Sequence, residues 1–134
     1  MRNVRIAIVV IGILLPYLAR LPGIPTHGAQ WLVSYFGTGS GAVLFFGVFN
    51  AINWGAIAIA TRSYDHPRSA WFPVVLGFAL PVWAHSMLDL SSDAQAGIAL
   101  VFIPIYSLPL VLAGWQLGRW FDRWYDRRLM QREG

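Results

Sequence analysis

His85 and Asp89 stand four residues apart in an apolar stretch, so a helix would carry both on one face. Asp93 follows four residues later, and the three make a His-Asp-Asp set of the kind that binds a divalent cation or relays protons. A metal site asks for a more specific ligand count and spacing than this. Each residue also has a plain role: Asp93 caps a helix, Asp89 lies at the membrane interface, and His85 pairs with Asp89. The set is a candidate outer-face polar site, with no metal or cofactor assigned to it. His27 and His66 fall in connections and carry no signal of their own.

A second polar group lies deeper in apolar sequence. Asn50 and Asn53 sit among Gly47, Ala51, Trp54 and Gly55. Gly47, Ala51 and Gly55 repeat every four residues, a ridge of small residues that lets a second helix approach closely. An unpaired amide in hydrocarbon is costly, so both asparagines should bond to a neighbouring helix. Tyr106 and Ser107, at similar depth in a later segment, are the expected partners. The same amides could line a permeation path or substrate site; interhelical packing is the more economical role.

Of the eight prolines, those at 16, 81, 104 and 109 each free the carbonyl four residues earlier, at Gly12, Gly77, Leu100 and Ile105. Such interruptions build gates and cavities in transporters, and they are also common in membrane helices generally. Phosphate-loop, His-Glu-x-x-His and Gly-x-Ser-x-Gly motifs are missing. There is no cysteine, hence no thiolate site or disulfide framework. No acidic or basic residue lies in the middle of an apolar segment, whereas a small proton-coupled multidrug antiporter would carry a carboxylate there.

These residues must be positioned by membrane-spanning helices. Of 134 residues, 57% are hydrophobic and only 12% charged, more apolar surface than so small a soluble domain could bury; the mean hydropathy is +0.54. Four stretches have the length to cross about 30 Å of hydrocarbon: 4–20, 40–61, 70–90 and 97–118. The first lacks the small-residue cleavage site of a signal peptide and is expected to stay as a helix. The expected fold is thus an all-α, integral membrane, four-helix antiparallel bundle forming a single domain. Gly- and Pro-rich breakers bound a first outer loop with a short interfacial segment at 30–36. Ser92-Asp93-Ala94-Gln95 matches a capping box that would start the fourth span.

Every basic residue is arginine, a compositional hint of a GC-rich bacterial genome. With the N-terminus in the cytoplasm, nine of the ten arginines fall inside and only Arg20 outside, as the positive-inside tendency requires. Both termini are then cytoplasmic, in a bacterial inner membrane. The basic tail 119–134 is expected to leave the bilayer as a short interfacial helix. Arg119, Trp120, Arg123, Trp124, Arg127 and Arg128 would anchor it among headgroups, and Asp122 and Asp126 would pair with Arg119 and Arg123 three residues back. The charge of +4 therefore points to a membrane surface and not to nucleic acid.

The function expected is non-catalytic: an accessory or immunity-type protein acting through a protein partner or a homo-oligomer within the bilayer. The alternative is a small oligomeric channel or transporter using Asn50, Asn53 and the His85/Asp89 face. Catalysis by His85 and Asp89 has the least support, because no nucleophile accompanies them.

Overall fold

The computed structural model describes residues 1–35, 47–89 and 95–133, and every regular element among them is helical. Helix α1 spans Arg2–Leu18. A 3-10 turn (Leu21–Gly23), α2 (Ile24–His27) and α3 (Gln30–Val33) follow as short pieces. Gly28 joins α2 to α3 at φ 75°, a conformation for which a residue without Cβ is suited. Residues 47–49 are helical, the chain turns at Asn50, and α4 covers Ala51–Ala60. Two 3-10 turns, Thr61–Ser63 and Pro67–Ala70, lead into α5 (Trp71–Met87). The chain closes with α6 (Ala96–Tyr106), a turn at Ser107, and α7 (Leu108–Glu133).

Three helical stretches are long and apolar enough to cross a membrane: Arg2–His27, Pro67–Met87 and Ile98–Gln131. The expected second span, 40–61, is described only from residue 47 onward. Its part between 47 and 60 rises only about 21 Å at 1.5 Å per residue, short of the hydrocarbon thickness.

Two expected boundaries are corrected. The tail is not a separate interfacial helix, because α7 runs without interruption to Glu133. Residues 119–133 contain neither glycine nor proline, so nothing in the chain ends the helix at the membrane surface. The break comes earlier, at Ser107, where Pro109 cannot donate to the Ile105 carbonyl. The second correction concerns α6, which starts at Ala96 with Gln95 at its N-cap position and no side-chain cap bond. Gln95 is therefore not the third helical residue that the capping box required. Ser92 and Asp93 lie outside the described residues.

Close packing rests on small residues. A Cβ on Gly114 would lie 2.6 Å from Pro73 Cα and 2.7 Å from the Phe72 carbonyl, so the backbones of α5 and α7 meet there. One turn further, a Cβ on Gly118 would meet the Tyr64 hydroxyl and the Ser69 carbonyl. Gly114 and Gly118 are a small-xxx-small pair with a helix seated on it. Gly12 of α1 takes the Trp54 side chain, and Ile13 packs on Gly47. Gly55, the third member of the expected ridge, has nothing within 4 Å of a built Cβ. The turn at Asn50 rotates the ridge, and only its first part meets a neighbour.

One apolar cluster joins Ile8 and Leu15 of α1 to Ile57, Phe78 and Val111; another joins Tyr17 and Tyr35 to Leu100 and Ile103 of α6. The start of α1, the 61–70 connection and the far part of α7 share one end of the molecule, hereafter the tail end. Val4 and Ile11 line a cavity with Pro67, Arg68 and Trp71, and the Asp65 amide bonds to Asp122.

The glycines predict opposite responses to one added methyl. Gly114→Ala is expected to lower the unfolding free energy in detergent micelles by about 1–3 kcal/mol, since backbone atoms cannot yield. Gly55→Ala is expected to be neutral or to add up to about 1 kcal/mol from helix propensity. Thermal unfolding followed by circular dichroism measures both, and equal effects would contradict the packing described.

Candidate functional site

Polar side chains gather in three layers along the molecule. The middle layer centres on Asn53, which is 1% exposed. Pro81 deprives the Gly77 carbonyl of its helical donor, and Asn53 Nδ2 donates to that carbonyl at 3.0 Å from the neighbouring helix. The Ser107 hydroxyl donates to Asn53 Oδ1 at 2.7 Å and also faces the Pro104 carbonyl at 2.7 Å, so one proton is shared between two acceptors. Asn53 thereby ties α4 to α5 and to the turn between α6 and α7. Tyr106, expected beside Ser107 in this layer, instead faces outward at 67% exposure. The helix turns by about 100° per residue, which carries Tyr106 away from the direction in which Ser107 points inward.

The second layer lies toward the end of the molecule opposite the tail. His85 is buried, with Nδ1 3.0 Å from the Tyr35 hydroxyl and Nε2 3.3 Å from Asn50 Nδ2. The two contacts are coupled through the ring. If Asn50 Nδ2 donates to Nε2, Nδ1 carries the proton and donates to the Tyr35 oxygen. If the phenol donates to Nδ1, Nε2 carries the proton and needs the Asn50 carbonyl oxygen, reached by turning the amide over. In the first arrangement Asn50 Oδ1 is buried with no partner among the described residues. Burial raises the Tyr35 phenol above its ordinary value against the opposing effect of Arg20, so the phenol stays protonated.

Arg20 completes this layer with no exposed surface at all. Its guanidinium lies 3.9 Å from the Trp31 ring centroid and 4.0 Å from that of Tyr35. It donates from Nε to the Trp31 carbonyl (2.7 Å), and from its other nitrogens to the Leu88 carbonyl (2.8 Å) and Ser34 Oγ (3.3 Å). One side chain therefore clamps segment 21–35 onto the end of α5. Of the expected His85–Asp89–Asp93 face, the structure describes His85 and Asp89. Both His85 nitrogens are occupied by Tyr35 and Asn50, Asp89 is half-buried beyond the end of α5, and Asp93 lies outside the described residues.

The third layer is at the tail end. Asp122 is buried and accepts from the Asp65 amide (3.0 Å), the His66 amide (3.2 Å) and the Ser69 hydroxyl. Burial alone would raise its carboxyl, but these donors outweigh it and hold the pKa below the ordinary value. His66 Nε2 lies 2.7 Å from Asp126, and that hydrogen bond raises the imidazole above its ordinary 6.5, with Asp122 and Asp65 adding in the same sense. Burial, reinforced by Asp122 and opposed by Arg119, pushes the Tyr64 phenol up to about 12; it stays neutral and donates to the Trp115 carbonyl. The expected pairs Asp122–Arg119 and Asp126–Arg123 are thus replaced by contacts to the 61–70 connection. Arg123 Nε turns to the Arg119 carbonyl, while Arg119 and Arg128 lie over the Trp115 and Trp124 rings. Trp120 is 61% exposed. Asp65, Asp122 and Asp126 bring carboxylate oxygens within 4.8 Å of one another, a group able to hold a cation. Both oxygens of Asp122 already serve the connection.

Sequence reasoning found Asn50, Asn53, Ser107 and His85 from their polarity in apolar surroundings. It missed the Arg20 clamp, because the aromatic partners lie 11 and 15 residues away with no helical register to connect them. It passed over His66, whose partner is 60 residues distant. It also passed over the Gly114/Gly118 pair, for which the four-residue spacing was the available signal.

No protein-family description, curated protein or solved structure matches the chain. Fold and site together define an all-helical membrane protein with three candidate spanning helices and an interior whose polar groups bond between helices.

Asn53→Ala removes both interhelical bonds of the middle layer and should cost about 1–2 kcal/mol of unfolding free energy in micelles. Asn50→Ala should cost less, since it removes one longer contact; the reverse order would contradict this hierarchy. At the tail end, the His66 imidazole should titrate above 6.5 by NMR, and Asp126→Asn should return it toward that value. Stabilisation from this pair is complete below the unfolded pKa and is lost as pH rises through the raised folded one. Asp122 has the opposite sign, its contribution being lost as pH falls through its depressed pKa.

Proposed function

We propose that the chain is a multi-pass protein of a bacterial inner membrane that acts without catalysis, through contacts with other membrane proteins, as an accessory or immunity-type component. Four antiparallel spans with both termini in the cytoplasm complete this reading. The observation that carries it is the closure of the polar interior. Asn53, Ser107 and His85 are almost fully buried and bonded to neighbouring elements, which leaves the outward surface as the working part. Outward-facing Val48, Ile59, Trp71, Trp83, Met87 and Leu112 supply the apolar area for lipid and partners.

The orientation is supported by charge. Arg62 and Arg68 lie at the same end as the start of α1 and the basic half of α7, while Arg20 is clamped at the other end. That segregation favours the tail end as the cytoplasmic one.

A small channel or transporter is the second reading. Two features favour it: Asn50 Oδ1, buried without a partner among the described residues, and helix interruptions at Asn50 and Ser107 of the kind that line transporter sites.

One set of experiments separates the readings. The chain has no cysteine, so single cysteines at Thr26 and Arg127 report sidedness cleanly; Arg127→Cys should be labelled only from the cytoplasmic face. Photo-crosslinkers at Trp83 or Met87 in native membranes should capture a discrete partner or a second copy. Recovery of monomer alone, without crosslinks, would sink the interaction reading. For transport, reconstituted vesicles should show solute flux that Asn50→Leu abolishes while the protein still inserts.

A further inference from the structure

A groove of about 870 Å³ runs between α4 and α7 toward the tail end. Ala56, Ile59, Leu108 and Leu112 line its apolar length, and Ile59 and Leu112 are 63% and 58% exposed, so it opens outward. Its lining at the tail end changes character, to Arg62, Ser63 and Trp115. The Trp115 indole donates to Ser63 Oγ at 2.7 Å, which fixes the ring as a wall. Arg119 lies over that ring at 5.1 Å, placing a second guanidinium beside the groove. Neither arginine is neutralised by an acid among the described residues: Asp122 is held by the 61–70 connection, and the ion pair of this end is His66–Asp126.

We infer that this groove binds an anionic phospholipid, with an acyl chain along α4 and α7 and the phosphate at Arg62 and Arg119. The charge pattern selects this occupant. An apolar recess ending at the Arg62 guanidinium, with that of Arg119 over the tryptophan of its wall and neither paired with an acid among the described residues, reproduces, in order, the needs of an acyl chain, a phosphate and the headgroup layer. A second copy seated on the same face would set Arg62 and Arg119 against their equivalents, with like charges opposed across the contact. The lipid site stands whether or not the chain has a protein partner.

The test uses the full chain, delipidated in detergent, with native mass spectrometry as the readout. Phosphatidylglycerol should be retained over phosphatidylcholine of the same acyl chains, by roughly fivefold for each arginine engaged. Arg62→Gln with Arg119→Gln should abolish that preference, lowering phosphatidylglycerol retention to the level of phosphatidylcholine. Both residues are exposed, so folding is not at risk. Ala56→Phe, which fills the recess, should lower retention of both lipids, and circular dichroism checks that this variant is folded. Equal retention of the two lipids, or a preference that survives the double substitution, would overturn the site. So would displacement of the lipid by glycerol phosphate, which marks a free-phosphate site. Disulfide-linked dimers of Ile59→Cys that exclude lipid would assign the face to a second copy and overturn it as well.

Discussion

A proline in the middle of α5 leaves the buried Gly77 carbonyl without its own helix's donor. Asn53 answers that vacancy from α4, and its own carbonyl oxygen is answered in turn by Ser107 at the break before α7. The arrangement of three segments follows from this chain of donors and acceptors. If α4 slid by one residue, the amide would leave the carbonyl and two buried groups would be unpaired at once. Apolar surfaces in lipid do not specify register in this way, because the alternative to helix contact is contact with acyl chains of similar polarity.

Close approach supplies the complementary constraint. Gly77 is where α4 and α7 crowd α5, with Ile57 and Val111 both near the place a Cβ would occupy. The same residue thus offers a free carbonyl and the space in which another helix can reach it. Gly114 and Gly118 bring α7 against α5, and this positions Asp122 a turn beyond, where it gathers the amides of the 61–70 connection. Packing within the bundle and order in the connection at its end are in this sense one event.

Arg20 shows how a charge is accommodated away from the basic end. Two aromatic faces and three acceptors surround it, so the guanidinium is solvated by protein. Tyr35 belongs to both the clamp and the His85–Asn50 pair, and it links segment 21–35 to the interior of α5. The arginines at the opposite end are treated differently: Arg119 and Arg128 lie over indole rings and Arg62 stands at the mouth of an apolar groove.

Much of this protein was legible without coordinates. Composition and segment length determine that the chain is helical and meant for a bilayer, since backbone groups in hydrocarbon must bond within a segment. The intramembrane amides and prolines were visible as groups in need of partners, and the Gly77 carbonyl was identifiable from Pro81 alone. Tertiary structure decided the partners. Asn53 rather than Asn50 reaches that carbonyl, Ser107 rather than Tyr106 completes the bridge, and Asp122 serves a distant connection rather than the arginine one turn back. A helical period says which residues share a face, but which face meets which helix is set by where backbones can approach. Contacts between Arg20 and Trp31, or His66 and Asp126, join segments with no common period, so they come into being only when the chain is folded.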